Sequence, residues 1–252
     1  MSPGEIPETD TTRPQSVRRP WLGGEEAGDA IAAVFPEIEQ IAVELRAFLG
    51  RAVRYLARKE GVRQFLDLYA GLPVADDIHQ VAHRAASQGR AVYVGKDLLT
   101  PTCAPLADSG TGRLDAPRTN LDRIVSQAAR TLDFRRPVAA LLPSVLPHIT
   151  DDEEAYSTVR RLIGALPPGS FLVLAHDTAD APGGDRLHRA MELFAERGGS
   201  PVVARTREQV TRFAEGLVLV EPGVVWTSYW RPVPAPWEPA PIHQYALVAR
   251  KP

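Results

Sequence analysis

Two histidines follow apolar runs of the kind that forms buried strands. His148 comes shortly after residues 138–142, and His176 directly follows residues 171–175. Such runs are typical of central parallel strands, because helices cover both faces of a parallel sheet. Small ligands bind outside the carboxyl ends of these strands, and imidazole exchanges protons near neutral pH. We therefore expect His148 and His176 to face a ligand crevice as candidate acid–base catalysts.

Two carboxylates follow His176 closely. Asp177 and Asp180 could orient the His176 ring or bind a cationic group of a substrate. The alternative is that Asp177 and Thr178 only satisfy backbone donors in a loop. We take Asp177 as a candidate substrate-binding residue.

Three aromatic residues near the carboxyl terminus could line a substrate wall. Trp226 and Tyr229 are the candidate binding residues, with Trp230 beside them. The alternative is that they alternate along a strand and pack against helices.

Two further histidines could, in principle, bind a metal ion. His79 and His83 lie one helical turn apart, but no acidic motif accompanies them,. A solvated helix face is the favoured interpretation, and we predict no metal site.

Strands and helices alternate along the chain, as a doubly wound α/β sheet requires. The predicted strands are residues 65–68, 91–94, 138–142, 171–175, 217–220, 224–230 and 245–249. The predicted crossover helices are residues 76–88, 120–132, 151–166, 185–197 and 209–213. The pattern predicts an α/β domain at 61–252 with a mostly parallel sheet and antiparallel C-terminal strands. A helical extension at 21–60 and a disordered tail at 1–20 precede it.

The segment 98–118 interrupts this alternation. Pro101 and Pro105 would each cost roughly 3 kcal/mol inside a helix. We expect the segment to be mostly irregular.

Composition limits the function classes. The chain has 252 residues, is 44% hydrophobic and 24% charged, and carries a net charge of -2. No global field therefore favours nucleic acid or an anionic membrane. The single Cys103 cannot form an internal disulfide, which fits the cytoplasm,. We expect a cytoplasmic protein that binds a small molecule, with no nucleic-acid or membrane partner; a homo- or heterodimer is left open.

Several phrases in a fixed order identify a family resemblance. Residues Arg63-Gln-Phe-Leu-Asp67 and Gly71-Leu-Pro73 are two of them. The others are residues 48–56, 78–82, 90–94, 136–139, 165–170, 178–180, 216–223 and 230–232. With them the sequence resembles the actinobacterial family of S-adenosylmethionine (SAM)-dependent methyltransferases, formerly a domain of unknown function. The resemblance implies a class I, Rossmann-like methyltransferase fold, and SAM as the cofactor.

The resemblance also implies which residues border the cofactor. The implied cofactor-binding residues are Asp67, Gly71, Leu72, Gly95, Asp97 and Ser144. Tyr69, which follows the first strand, is a candidate substrate-binding residue.

Some of these positions depart from the family pattern. Tyr69 and Ala70 replace Gly and Thr, and a Tyr side chain crowds a backbone that must approach SAM,. Gly95 stands where the family has an acid that binds the ribose hydroxyls. Losing that hydrogen bond costs roughly 1.5–3 kcal/mol, or about ten- to a hundredfold in affinity.

Two hypotheses follow. In the first, the protein no longer uses SAM and catalyses a cyclisation or isomerisation of a small apolar metabolite through His176 or His148. A non-catalytic partner subunit is a variant of it. In the alternative, the protein is an active SAM-dependent methyltransferase of a small molecule from secondary metabolism, in which Asp97 or Asp115 supplies the missing acid. An open pocket that reaches His176 favours an enzyme; a filled pocket with a large exposed apolar patch favours a binding role.

Overall fold

The computed structural model describes residues 25–68, 89–95, 111–115, 121–234, 236 and 238–252. The helices are α1 (Glu25–Val34), α2 (Ile38–Arg58), α3 (Leu121–Ala128), α4 (Asp152–Gly164), α5 (Gly184–Glu196) and α6 (Arg207–Arg212). The strands are β1 (Gln64–Asp67), β2 (Arg90–Gly95), β3 (Thr111–Asp115), β4 (Ala139–Pro143), β5 (Phe171–Asp177), β6 (Val218–Leu219), β7 (Val225–Trp226) and β8 (Gln244–Arg250). Among the described helices, none is both long and apolar enough to span a membrane.

The strands form one mixed sheet in the order β3-β2-β1-β4-β5-β8-β6, and β7 also pairs with β8. Strands β1 to β5 are mutually parallel. Strand β8 runs antiparallel to β5, and β6 and β7 run antiparallel to β8. The predicted fold class, a mostly parallel sheet with antiparallel C-terminal strands, is confirmed. The strand order reverses between β1 and β4, which is where a doubly wound sheet opens a ligand crevice.

Alternation along the strands separates two cores. In β1, Leu66 belongs to the cluster under α3 and α4, whereas Phe65 belongs to the cluster under α2. Successive strand side chains point to opposite faces, so a central strand must be apolar at every position. Strand β4 meets this requirement, since all five of its residues are buried. Helix α2 covers the second face with an apolar stripe that includes Phe48.

A third, smaller apolar cluster joins α1 to α5. Ile31 and Phe35 pack against Leu187 and Ala190, together with Ile41 of α2. The N-terminal helices therefore cover one end of the sheet, and they provide one wall of the pocket described below.

The predicted strand at 224–230 is wrong in its second half. Strand β7 ends at Trp226, and residues Thr227–Tyr229 form a 3₁₀ turn. The Arg51 guanidinium donates hydrogen bonds to the carbonyl oxygens of Thr227 and Trp230, at 2.6 Å and 2.9 Å. These two bonds from α2 hold the chain in a turn instead of a strand.

Strand β3 lies inside the segment that was predicted to be mostly irregular. It pairs with β2 over its whole length, from Thr111 beside Ala91 to Asp115 beside Gly95. Pro105 and Pro117 lie outside this strand, and Gly112 inside it pairs with Val92. A glycine keeps both backbone hydrogen-bonding groups, so it weakens pairing but does not prevent it. The remainder of that segment, the predicted helix at 76–88 and the predicted tail at 1–20 lie outside the described residues.

Candidate functional site

A pocket opens beyond the carboxyl ends of β4 and β5. Its polar side chains are Ser144 and His148, which follow β4, and Asp177, which ends β5. Pro147 and residues of α1, α2, α5 and the following loop form its apolar wall: Ile31, Ile38, Ile41, Leu187, Ala190, Met191, Phe194 and Val202. The empty space between these residues is about 650 Å³, and this figure includes open solvent at the pocket mouth. The pocket is therefore an apolar chamber with one polar side.

The segment after β4 is shaped by a strained residue. Ser144 has φ of 52°, in the left-handed region that non-glycine residues rarely adopt,. Its N–H donates to the carbonyl oxygen of Ala175 on β5, at 3.2 Å. Strain of this kind costs about 1–3 kcal/mol and is concentrated at functional sites. The 3₁₀ turn Leu146–His148 follows at once.

His148 ends this turn with its side chain exposed, and it lines the pocket. The structure thus places His148 at the crevice, as expected from the sequence. Its acid–base role stays a prediction.

Asp177 is held by a buried amide. Gln244 is fully buried on β8, and its Nε2 donates to Asp177 Oδ1 at 3.0 Å and to Ser144 Oγ at 3.3 Å. Burial raises the pKa of the Asp177 carboxyl to about 6, although the Gln244 hydrogen bond opposes this shift,. The pocket therefore contains a carboxyl group that titrates close to neutral pH.

His176 does not face the crevice, contrary to the expectation from the sequence. The ring is completely buried. Its Nδ1 lies 2.8 Å from the carbonyl oxygen of Asp177, and its Nε2 lies 2.8 Å from Nη1 of Arg205. In the tautomer that satisfies both contacts, Nδ1–H donates to the carbonyl and Nε2 accepts from the guanidinium. Burial lowers the pKa of His176 to about 3, so the ring stays neutral at pH 7. Both of its nitrogens are engaged in hydrogen bonds.

The partner of His176 is a residue that sequence reasoning missed. The Arg205 side chain is only 1% exposed, and its Nε donates to Asp152 Oδ1 at 2.9 Å. Its two terminal nitrogens donate to the carbonyl oxygens of Leu146 and Ile149, at 3.1 Å and 2.8 Å. One guanidinium thus joins the end of β5 to the turn that carries His148. A lone arginine between two elements gives no sequence signal for such long-range contacts.

The other carboxylate near His176 has a different role from the predicted one. Asp180 Oδ2 accepts hydrogen bonds from the Arg207 N–H and the Tyr245 hydroxyl, at 2.9 Å and 3.0 Å. It therefore links the loop after β5 to α6 and β8, and it is not among the residues that line the pocket.

The predicted aromatic wall is not part of this pocket. The Trp226 ring stacks on Tyr245, with 4.3 Å between ring centroids, and packs against the core. Tyr229 is 39% exposed, and Trp230 is fully buried against Phe48 and Tyr55. None of the three predicted residues lines the pocket. Trp226 and Trp230 instead pack as core residues, the alternative interpretation.

The implied cofactor residues are described in part. Asp67 ends β1 and is buried, next to the point where the strand order reverses. Gly95 ends β2 and pairs in register with Asp115 on β3. Four further predicted site residues lie outside the described part of the chain: Tyr69, Gly71, Leu72 and Asp97. Within the described part of the chain, no group of three or more potential metal ligands occurs.

Comparisons with known proteins agree with this architecture. A crystal structure of a DUF574 family protein from Streptomyces avermitilis MA-4680 is 33% identical, with a TM-score of 0.84, and the match covers 92% of this chain and 94% of the other. A candidate methyltransferase from Thermobifida fusca YX is 30% identical, with a TM-score of 0.79 and coverage of 92% and 91%. An O-methyltransferase family 2 protein from Planctomyces limnophilus DSM 3776 is 15% identical, with a TM-score of 0.53 and coverage of 88% and 61%, and shares the fold alone.

Among curated proteins, none matches this sequence. The family model described as S-adenosyl methyltransferase matches residues 5–252. The match spans nearly the whole chain, including the strands that border the pocket. The chain therefore belongs to the S-adenosyl methyltransferase family.

Proposed function

We propose that this protein is a SAM-dependent methyltransferase that modifies a small, largely apolar molecule. The observation that supports the proposal best is the pocket at the carboxyl ends of β4 and β5. It lies beside the reversal of strand order between β1 and β4, where ligands of doubly wound sheets bind,. Because the chain belongs to the methyltransferase family, we infer that the cofactor binds at that reversal and the methyl acceptor binds in the neighbouring pocket.

The residue types at two of the described strand ends suit SAM. Asp67 would provide a carboxylate at the end of β1. Gly95 lacks a side chain that could bind the ribose, but its register partner Asp115 brings an acid to the neighbouring strand end. Carboxylates accept hydrogen bonds from hydroxyl groups and attract cations. We infer that Asp115 takes the place of the missing ribose acid.

The pocket explains what the chain itself would contribute. The bound cofactor supplies an electrophilic methyl group. The apolar wall from α1 and α5 would bind the acceptor by burying its apolar surface, and it would exclude water. Ser144 and Asp177 lie on the opposite side and would orient the polar group of the acceptor,.

A reaction that does not use SAM is the second candidate. It is favoured by Gly95, because this strand end lacks the acid that binds the ribose in the family. Such a reaction would take place in the same pocket, without His176, since that ring is buried.

Transfer of a labelled methyl group tests the proposal. The protein would be incubated with SAM carrying a tritiated methyl group and with a pooled panel of small phenols, alcohols and amines. We expect label to appear in an organic-extractable product. The SAM-independent candidate predicts no transfer to any member of the panel.

Two substitutions on α5 locate the reaction. Ala190 lines the pocket and is 3% exposed, so Ala190→Trp should fill the pocket and abolish transfer. Ala195 is exposed on the same helix, so Ala195→Trp should leave transfer unchanged. Transfer that persists in Ala190→Trp would show that the acceptor binds elsewhere.

A further inference from the structure

Asp177 is the acidic group of a pocket that is otherwise mostly apolar. Apart from Ser144 and His148, the other described residues that line the pocket are apolar, and most of them come from α1, α2, α5 and the loop after α5. A carboxylate in such surroundings loses hydration unless a ligand provides a hydrogen bond. The acid is therefore suited to a ligand that is apolar except for one hydrogen-bond donor.

The Asp177 carboxylate is fixed in orientation by Gln244. The amide donates to Oδ1 from a fully buried position on β8, where Gln244 is the register partner of Asp177. Within the described part of the chain, Oδ1 is the only oxygen of this carboxylate that receives a hydrogen bond. The Oδ2 oxygen is thus the one that a ligand would engage.

We propose that the methyl acceptor is a neutral, phenol-like molecule whose hydroxyl group donates to Asp177, and that Asp177 takes up the hydroxyl proton. The inference rests on the proposed methyltransferase function. The hydroxyl oxygen gains a bond to the methyl carbon that the cofactor supplies, while the carbon–sulfur bond breaks and the sulfonium becomes a neutral thioether. The proton passes to the Asp177 carboxylate, so the products are a methyl ether, S-adenosylhomocysteine and a neutral carboxyl group.

Charge and acidity distinguish this class from the other acceptors. A cationic amine would have to lose its hydration in a pocket walled by aliphatic side chains. Its nitrogen also has no free electron pair while it is protonated. A phenol is neutral at pH 7 and has a pKa of about 10. A carboxylate whose own pKa is about 6 accepts a proton more readily from a phenol than from a less acidic alcohol,.

Binding of 2-naphthol tests the proposal without SAM. The protein would be titrated at pH 7 with 2-naphthol and with 2-methoxynaphthalene, which has the same rings but no donor. A hydrogen bond to a charged group contributes about 1.5–3 kcal/mol, so 2-naphthol should bind at least about tenfold more tightly. Equal affinities, or no binding of 2-naphthol, would overturn the proposal. Tighter binding of the cation 2-naphthylmethylamine would overturn it as well.

Two substitutions assign the preference to the proposed group. Asp177→Ala should reduce the preference to less than about twofold, because only the donor-bearing ligand loses a partner. Asp180→Ala removes a neighbouring carboxylate that lies outside the pocket lining, and it should retain the preference. Circular dichroism would show that both variants fold. A preference that survives in Asp177→Ala contradicts the role of this residue.

The failure of this inference is distinguishable from failure of the proposed function. Calorimetric titration of the same protein with S-adenosylhomocysteine measures separately whether the cofactor product binds. Binding of that ligand without a 2-naphthol preference retains the methyltransferase and overturns the acceptor class. A preference that depends on Asp177, without cofactor binding, supports the hydroxyl site and overturns methyl transfer.

Discussion

Replacing Arg205 by Met should destabilise the protein strongly. The guanidinium donates to three buried acceptors: the carbonyl oxygens of Leu146 and Ile149, and Nε2 of His176. Each unsatisfied buried acceptor costs about 1–3 kcal/mol, but such costs do not add in full, because the segment can relax. The ion pair with Asp152 adds little, because the Asp152 side chain is 45% exposed,. From the three unsatisfied acceptors we expect the free energy of unfolding to fall by about 3–5 kcal/mol.

Urea unfolding at pH 7, followed by circular dichroism, measures this loss. Arg189→Met is the matched control, because Arg189 forms only exposed ion pairs with Glu192 and Glu196 and should leave the urea midpoint unchanged,. A loss below about 1 kcal/mol in Arg205→Met would refute the reasoning. It would mean that the segment between β4 and α4 finds other donors and does not depend on this guanidinium.

Three further predictions concern single residues. Asp177→Asn should raise the free energy of unfolding by up to about 3 kcal/mol at pH 7 and should have no effect near pH 3.5. The reason is that burial raises the pKa of Asp177 from 3.8 to about 6, so the cost of ionising this carboxyl in the folded protein grows only as pH rises through that window,. Urea unfolding curves at the two pH values measure the difference, and an equal gain at both would contradict the prediction. Gly184→Ala should lower the thermal midpoint, because the added Cβ would lie 2.1 Å from the carbonyl oxygen of Ala179, while Gly164→Ala meets no atom within 4 Å and should not lower it,. Trp230→Ala should cost about 3–5 kcal/mol in urea unfolding, because the ring is fully buried in the core,; a loss below about 1 kcal/mol would contradict that packing.

The strand framework could be predicted because it depends on local patterns. Continuous apolar runs identified β4 and β5, and the carboxyl end of β4 identified His148 as a crevice residue. Asp177 was a candidate because it follows β5 closely, and Ser144 was implied by the family resemblance. The prediction of His148 needs only the direction of a parallel strand and the side at which it ends. The family resemblance independently implied the class I, Rossmann-like fold.

The rest depends on contacts between distant segments, which no local pattern contains. His176 follows the same rule as Asp177, yet Arg205 and the ring of Phe213 enclose it completely. Trp226 and Tyr229 looked like alternating strand residues, but the two hydrogen bonds from Arg51 of α2 turn the chain between Thr227 and Trp230. The apolar wall of the pocket also comes from helices α1 and α5, which are far apart in sequence.

Calorimetric titration with S-adenosylhomocysteine tests the central claim most directly. The account predicts one binding site per chain with low-micromolar affinity. Asp115→Asn should weaken it about ten- to a hundredfold, because Asp115 would replace the acid missing at Gly95. Asp185→Asn, an exposed change on α5, should leave it unchanged. No measurable heat with either S-adenosylhomocysteine or SAM at millimolar concentration would contradict the methyltransferase assignment.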